Sequence, residues 1–176
     1  MLLSSLRYIL SVGLLTLTAC GFEPLHGKRE GGEATALLLS QIEVAPIADR
    51  LGQLVRTELT NRLSPRSAPL PVFIVHVTLT ESGQSLAVRR DSSATRANLI
   101  IDANFILSEV SGGEALLAGG ARSVNGYDIL MSDFATLAAR KDARRRGSRD
   151  VADAIVDRLS IHMAQRASQG AAPARR

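Results

Sequence analysis

Between Thr95 and Val110 the residues alternate between two characters. Ala97, Leu99, Ile101, Ala103, Phe105 and Leu107 fall on one side of an extended strand, and Asn98, Asp102 and Asn104 fall on the other. Successive side chains of a strand point to opposite faces, so this segment has one apolar and one polar surface. A strand of that length is not stable alone in water. It needs neighbours in a sheet, and a second layer over the apolar face only.

The neighbours are legible on either side. Val72 to Thr80 (VFIVHVTLT) directs Phe73, Val75, Val77 and Leu79 one way and His76, Thr78 and Thr80 the other, which predicts a second strand. Ser82-Gly83 suggests a bulge or bend, after which Ser85 to Arg90 resumes the extended pattern. Asp91 to Ala94 reads as the turn into the long strand. Ser111-Gly112-Gly113 reads as the turn out of it, into a strand over Glu114–Asn125 weakened by Gly119-Gly120. Ahead of these, the apolar run from Ala36 to Ala45 predicts a buried strand.

Two segments can supply the covering layer. From Ile47 to Leu63 the apolar residues Ile47, Leu51, Leu54, Val55, Leu59 and Leu63 recur at three and four, one face of a helix. Pro46 suits its entrance, and Ser64-Pro65 ends it, because a residue before proline avoids the α region. Ser132 and Asp133 can cap a last helix. Its core face carries Val151, Ile155, Leu159 and Met163 at spacings of four. Gly147 leaves a kink or break open there, although one long helix is favoured. The expected fold is an α/β two-layer sandwich, with two amphipathic helices on one face of a four-stranded, mostly antiparallel sheet. The other face and the edges are left to a partner.

The amino terminus bears on the compartment. Arg7 is followed by the apolar stretch Tyr8–Thr16 and then by Leu17-Thr18-Ala19-Cys20. The stretch is too short to span a bilayer core of about 30 Å and reads as a signal peptide. A lipoprotein signal ends in just this way, with small residues before a cysteine whose thiol takes up diacylglycerol. A chance cysteine after a plain secretory signal is the competing reading, but Cys20 is the one cysteine of the chain. It leaves no thiol for an internal disulfide. The expected layout is a signal peptide over 1–19, a lipidated tether over 20–35, an α/β domain over 36–167 and a disordered tail over 168–176. The expected cofactors are none, beyond the diacylglycerol and N-acyl chain on Cys20.

Charge and chemistry narrow the function classes. Ten Arg or Lys face four Asp between 138 and 176, whereas ten basic face thirteen acidic side chains between 21 and 137. The basicity is therefore local, unlike that of a uniformly basic nucleic-acid binder, and the lack of tryptophan argues against a base-stacking platform. His26, His76 and His162 have no second ligand at metal spacing, and no G-x-S-x-G elbow occurs. An enzyme is not expected. Two basic groups remain. Arg89, Arg90 and Arg96 flank the predicted hairpin turn, where paired guanidinium donors suit a phosphate or carboxylate, or else are solvated strand ends. Arg140, Lys141, Arg144, Arg145, Arg146 and Arg149 read as a solvated helix face, partly paired with Asp142, Asp150 and Asp153, with attraction to anionic lipid as the second reading.

Several segments resemble the alphaproteobacterial lipopolysaccharide-assembly lipoprotein (LptE) family. The mature start, Cys20-Gly21-Phe22-Glu23-Pro24-Leu25-His26-Gly27, is similar to that family's C-G-F-x-P-L-Y-G opening, with His26 in place of the aromatic. The run Ile47 to Arg56, with Asp49-Arg50-Leu51-Gly52-Gln53, resembles its first helix. Leu59–Pro65, Thr95-Arg96 and Asp142 to Arg146 continue the likeness over most of residues 20 to 160. The resemblance implies a lipid-anchored outer-membrane protein facing the periplasm, with two helices on a four-stranded sheet. It implies a plug, one to one, in the lumen of the LptD-type β-barrel, which helps that barrel assemble and binds lipopolysaccharide. Arg89, Arg90 and Arg96 are then the candidate lipid A phosphate contacts. A lipoprotein adaptor of an inner-membrane lipid ABC transporter is the alternative. Cys20→Ser is expected to leave an uncut precursor or a soluble periplasmic form, read by fractionation and by loss of labelled palmitate.

Overall fold

The computed structural model describes residues 30–63, 70–88 and 94–171. Cys20, Arg89 and Arg90, the signal peptide and the end of the expected tail at 172–176 lie outside them. Among the described residues, helix α1 (Glu30–Ser40) leads into strand β1 (Ile42–Val44) and helix α2 (Asp49–Leu63). Strands β2 (Phe73–Val88), β3 (Ala94–Glu109) and β4 (Leu117–Asp128) follow, and helix α3 (Asp133–Ala171) closes the chain. The strands form one sheet in the order β1-β2-β3-β4.

The α/β sandwich is as expected, with two differences. The sheet is mixed, not mostly antiparallel: β1 runs parallel to β2, pairing Ile42 with Phe73 and Val44 with Val75. Helix α2 joins these two strands, and a helical crossover returns the chain to the end from which it started. The ladder stops after the Ala45 amide donates to the Val75 carbonyl at 3.0 Å, where Pro46 interrupts it. The second difference is α1, which occupies the first half of the expected first strand and the last part of the expected tether. Its run Ala34 to Leu39 is almost all alanine and leucine, strong helix formers, and β-branched residues return only at Ile42 and Val44.

The antiparallel meander β2–β3–β4 forms as predicted, with local shifts. Strand β2 passes through Ser82 and Gly83 in unbroken register with Ile100 and Leu99, and the irregularity falls between Ser85 and Val88. Strand β4 starts and ends three residues later than expected. The turn takes up the chain as far as Leu116, whose amide donates to the Leu107 carbonyl at 2.8 Å. Sixteen residues of β2 and of β3 make a ladder about 53 Å long.

Helix α3 matches that length: its 39 residues span about 58 Å without a break. It begins where Ser132 Oγ accepts from the Ala135 amide, and it continues through Ala171, so residues 168–171 of the expected tail are helical. Ala143, Val151, Ile155, Leu159 and Met163 are buried, facing Leu99, Ile101, Phe105 and Leu107 of the sheet and Val55, Leu59 and Leu63 of α2. Helix α3 continues through Gly147, where it lies close against the sheet. A Cβ there would lie 2.7 Å from Ile101 Cδ1 and 3.3 Å from Asn125 Nδ2. Gly147→Val is therefore expected to destabilise the domain by about 1–3 kcal/mol through overpacking. Urea unfolding of the chain without residues 1–19 measures it, and unchanged stability would contradict the close approach.

Candidate ligand and docking surfaces

The chain turns from β1 into α2 within four residues, and two positions make this possible. Asp49 takes a left-handed φ of 66°, which Asp tolerates better than most residues. Gly52 has no side chain where the Ile47 carbonyl carbon and oxygen pass 2.8 Å from its missing Cβ. The helix thus starts two residues after the predicted Ile47. Beside this turn lies an open cavity of about 430 Å³, lined by Ile47 to Gly52, by Val77, Thr78, Leu79 and Glu81 of β2, and by Arg144 of α3. One wall is an ion cluster. Arg144 donates through Nε and Nη2 to the two carboxylate oxygens of Glu81, at 2.7 and 2.6 Å, and Arg140 adds a third bond at 3.2 Å. The hydrogen bonds from Arg144 hold the Glu81 carboxyl below its ordinary range, against partial burial, which pushes it up. The same pair raises the Arg144 guanidinium. The cluster therefore ties α3 to β2.

Next to Gly147 a polar network ties α3 to β4. Ser123 Oγ and Asn125 Nδ2 both donate to Asp150 Oδ2, at 2.8 and 2.9 Å, and Asn125 also donates to Ser123 Oγ at 2.6 Å. Arg146 completes it, donating to Asn125 Oδ1 at 3.2 Å and to the Gly126 carbonyl at 3.0 Å while it pairs with Asp142. Farther along, Arg62 bridges Glu58 and Asp153, joining α2 to α3. Arg166 reaches Glu109 at 3.0 Å and stacks over the Phe73 ring at 5.3 Å.

The basic run thus divides. Arg140, Arg144 and Arg146 serve the fold, as do Asp142 and Asp150. Lys141, Arg145 and Arg149 are exposed and make no ion pair among the described residues. Of the hairpin arginines, the structure describes Arg96 alone. It faces Asp128 across the β3–β4 ladder at 3.2 Å, and both side chains are well exposed. Arg96 is therefore an exposed cation with one carboxylate partner at the strand ends. Sequence reasoning missed the apolar surface beside it. Leu130, Met131, Phe134 and Leu137 lead into and begin α3, with Met131 100% and Phe134 82% exposed. Thr136 Oγ1 fixes that entrance, accepting from the Leu130 amide at 2.9 Å and donating to the Leu130 carbonyl at 3.2 Å. Among the described residues no group of three or more His, Cys, Asp or Glu could hold a metal. No described helix is long and apolar enough to cross a membrane.

A family model described as lipopolysaccharide-assembly, LptE, matches residues 39–159, from the end of α1 to Leu159 of α3. The chain belongs to the LptE family. Solved structures show the same fold. A candidate lipoprotein from Caulobacter crescentus CB15 superposes with a TM-score of 0.62 at 22% identity, over 75% of this chain and 97% of that one. A minor lipoprotein from Acinetobacter baumannii gives 0.51 at 14% identity, over 70% and 94%. No curated protein sequence matches. Within this LptE protein, the family-like run Asp49-Arg50-Leu51-Gly52 is the tight turn that starts α2, and Asp142 to Arg146 supplies the α3 ties to β2 and to β4.

The Glu81 cluster yields a pH prediction. A carboxyl held below its ordinary value near 4.5 stabilises the fold at neutral pH, and the contribution is lost as pH falls below that value through the folded one. Glu81→Gln is expected to cost about 1–2 kcal/mol at pH 7. The cost should shrink on acidification below about pH 4.5, measured by urea unfolding at pH 7 and pH 3.5.

Proposed function

We propose that this LptE protein is a lipid-anchored, periplasm-facing lipoprotein of the outer membrane that plugs an LptD-type β-barrel, helps it assemble and binds lipopolysaccharide on its way to the outer leaflet. The observation that carries the reading is the family match over residues 39–159, which spans every strand of the sheet and most of the helical layer. Three features support it. Leu17-Thr18-Ala19-Cys20 has the form of a lipoprotein processing site, and acylation of Cys20 would hold the domain on the membrane. The domain is elongated, with a ladder about 53 Å long, longer than the roughly 25 Å apolar band of an outer-membrane barrel. Among the described residues the sheet also keeps one face clear of helices, and across it Thr78 pairs with Asn104, Thr80 with Asp102, and Asp102 in turn with Arg122. Such a polar face suits the water-filled lumen of a large barrel.

The role is non-catalytic: positioning, plugging and binding require surfaces, and the ionisable clusters described above link one element of the fold to another. For lipopolysaccharide, Arg96 near the start of β3, and Arg89 and Arg90, which follow β2 in the sequence, are the proposed lipid A phosphate contacts. Guanidinium forks bind phosphate by paired donors.

Two measurements test this. Mild-detergent purification of the tagged full-length chain from outer membranes should recover an LptD-type barrel at one to one. An ATPase and permease in its place would instead establish the adaptor of an inner-membrane lipid transporter. Replacing Arg89, Arg90 and Arg96 together by Glu should weaken binding of purified lipopolysaccharide at least tenfold. Unchanged affinity would remove these residues from the site.

A further inference from the structure

The exposed face of α3 carries an unusual order of side chains. Counting about 100° per residue, Phe134, Lys141 and Arg145 fall within about 20° of one line along the helix, and Leu137 and Arg149 within about 60° of it. The apolar members come first, together with Met131 just before the helix, and the cations follow. Apolar and basic residues are therefore segregated along the axis rather than around it. Lys141, Arg145 and Arg149 make no ion pair among the described residues, whereas the neighbouring Arg140, Arg144 and Arg146 are all held by the fold. The entrance that presents Met131 is pinned by the two bonds of Thr136 to Leu130. This exposed surface is preorganised, not frayed.

That order identifies the kind of partner. A helix lying on a bilayer keeps its apolar residues on one face and its cations flanking them, so that one inserts while the others stay among the headgroups. Here both share one face, and burying Phe134 would drag the guanidinium groups into the acyl region. Standing end-on fails as well. Arg145 and Arg149 lie about 17 and 22 Å along the axis from Phe134, well beyond a headgroup layer roughly 5–7 Å thick. A protein wall running beside the helix meets both parts at once. Interface cores are enriched in Phe, Met and Arg.

We infer that this stripe of α3 is the surface by which the domain docks on the inner wall of its barrel. The wall presents an apolar socket to Met131, Phe134 and Leu137 and, about 10–22 Å farther along, carboxylates to Lys141, Arg145 and Arg149. The inference rests on the plug reading above, and it fixes which side of the domain turns toward the wall.

The test uses the full-length chain in cells, with a photo-crosslinking amino acid placed at Phe134 or Arg145, and at Thr80 on the open sheet face as the comparison. The expected result is barrel adducts at Phe134 and Arg145, with at least tenfold less at Thr80. In parallel, the triple variant Lys141→Glu, Arg145→Glu, Arg149→Glu should recover at least tenfold less barrel, with circular dichroism of the purified chain unchanged. Phe134→Ser, which touches no ion pair, should also lower recovery. Purified chain should not bind phosphatidylglycerol vesicles through these residues. If the barrel co-purifies but adducts arise at Thr80 instead, the stripe is overturned while the plug reading stands. Vesicle binding that the triple variant abolishes, without adducts, would assign the stripe to lipid and overturn it too. If the parent chain recovers no barrel, both readings fall together.

Discussion

The structure depends on how closely one long helix lies against one long sheet. Helix α3 reaches the sheet at Gly147, where even a methyl group would press on Ile101. That approach lets Ser123 and Asn125 reach Asp150 and lets Arg146 span to the edge carbonyl of Gly126. Farther along, Ile155, Leu159 and Met163 are fully buried in the core between α3 and the sheet. The apolar contacts supply the driving force, but they are forgiving about register. The polar network is not. Sliding α3 by one turn, about 5.4 Å, would strand Asp150 and leave the buried Ser123 and Asn125 side chains without their partner. A partly buried polar set of this kind favours one alignment over its neighbours.

Much of this was legible in the residues. The alternation of β3, the apolar face of α2 and the fours of α3 are strong periodic signals, because each element has one buried and one wet side. The first strand was not legible. Leu37, Leu38 and Leu39 form a continuous apolar run, and such a run carries no period to separate strand from helix. Its alanine and leucine content favoured the helix that forms, and only Ile42–Val44 stayed extended. The parallel pairing of β1 followed from the crossover and could have been argued from the order strand, helix, strand. The bulge was misplaced because a Ser-Gly pair suits a bend by local chemistry, yet β3 offers an unbroken partner through Ile100 and Leu99.

The candidate surfaces were less legible, for a different reason. Within the run from Arg140 to Arg149 the nearest acids suggested local i,i+4 pairing, and Asp142 does pair with Arg146. Asp150 turns instead to β4 and Asp153 to α2, while Glu81 comes from β2 to take both Arg140 and Arg144. Ion pairs across elements leave no trace in the spacing along one element. Only the three-dimensional partners reveal which cations the fold consumes and which remain. The same holds for the apolar end of α3. Phe134 and Leu137 look like the start of a core stripe, but they lie on the side of α3 opposite the buried Ala143, near the line of Lys141 and Arg145, so they face water.

These features also order the events of assembly. Leu59, Ile101, Phe105, Leu159 and Met163 are buried by the domain's own layers, so the fold is complete without a partner. Among the described residues, Leu130, Met131, Phe134 and Leu137 are exposed together where α3 begins, Leu70, Val72 and Val110 are exposed where β2 starts and β3 ends, and Leu37, Leu86, Ile106, Val124 and Ile161 are scattered. Scattered aliphatics are normal for a soluble surface, whereas a cluster held in place marks a contact. A body with a finished core and a preformed contact surface meets its partner largely as a rigid unit, and loses little conformational freedom in doing so. In this domain, therefore, folding precedes docking, and the long α3 serves both steps: its inner face closes the core and its outer face is left to the partner.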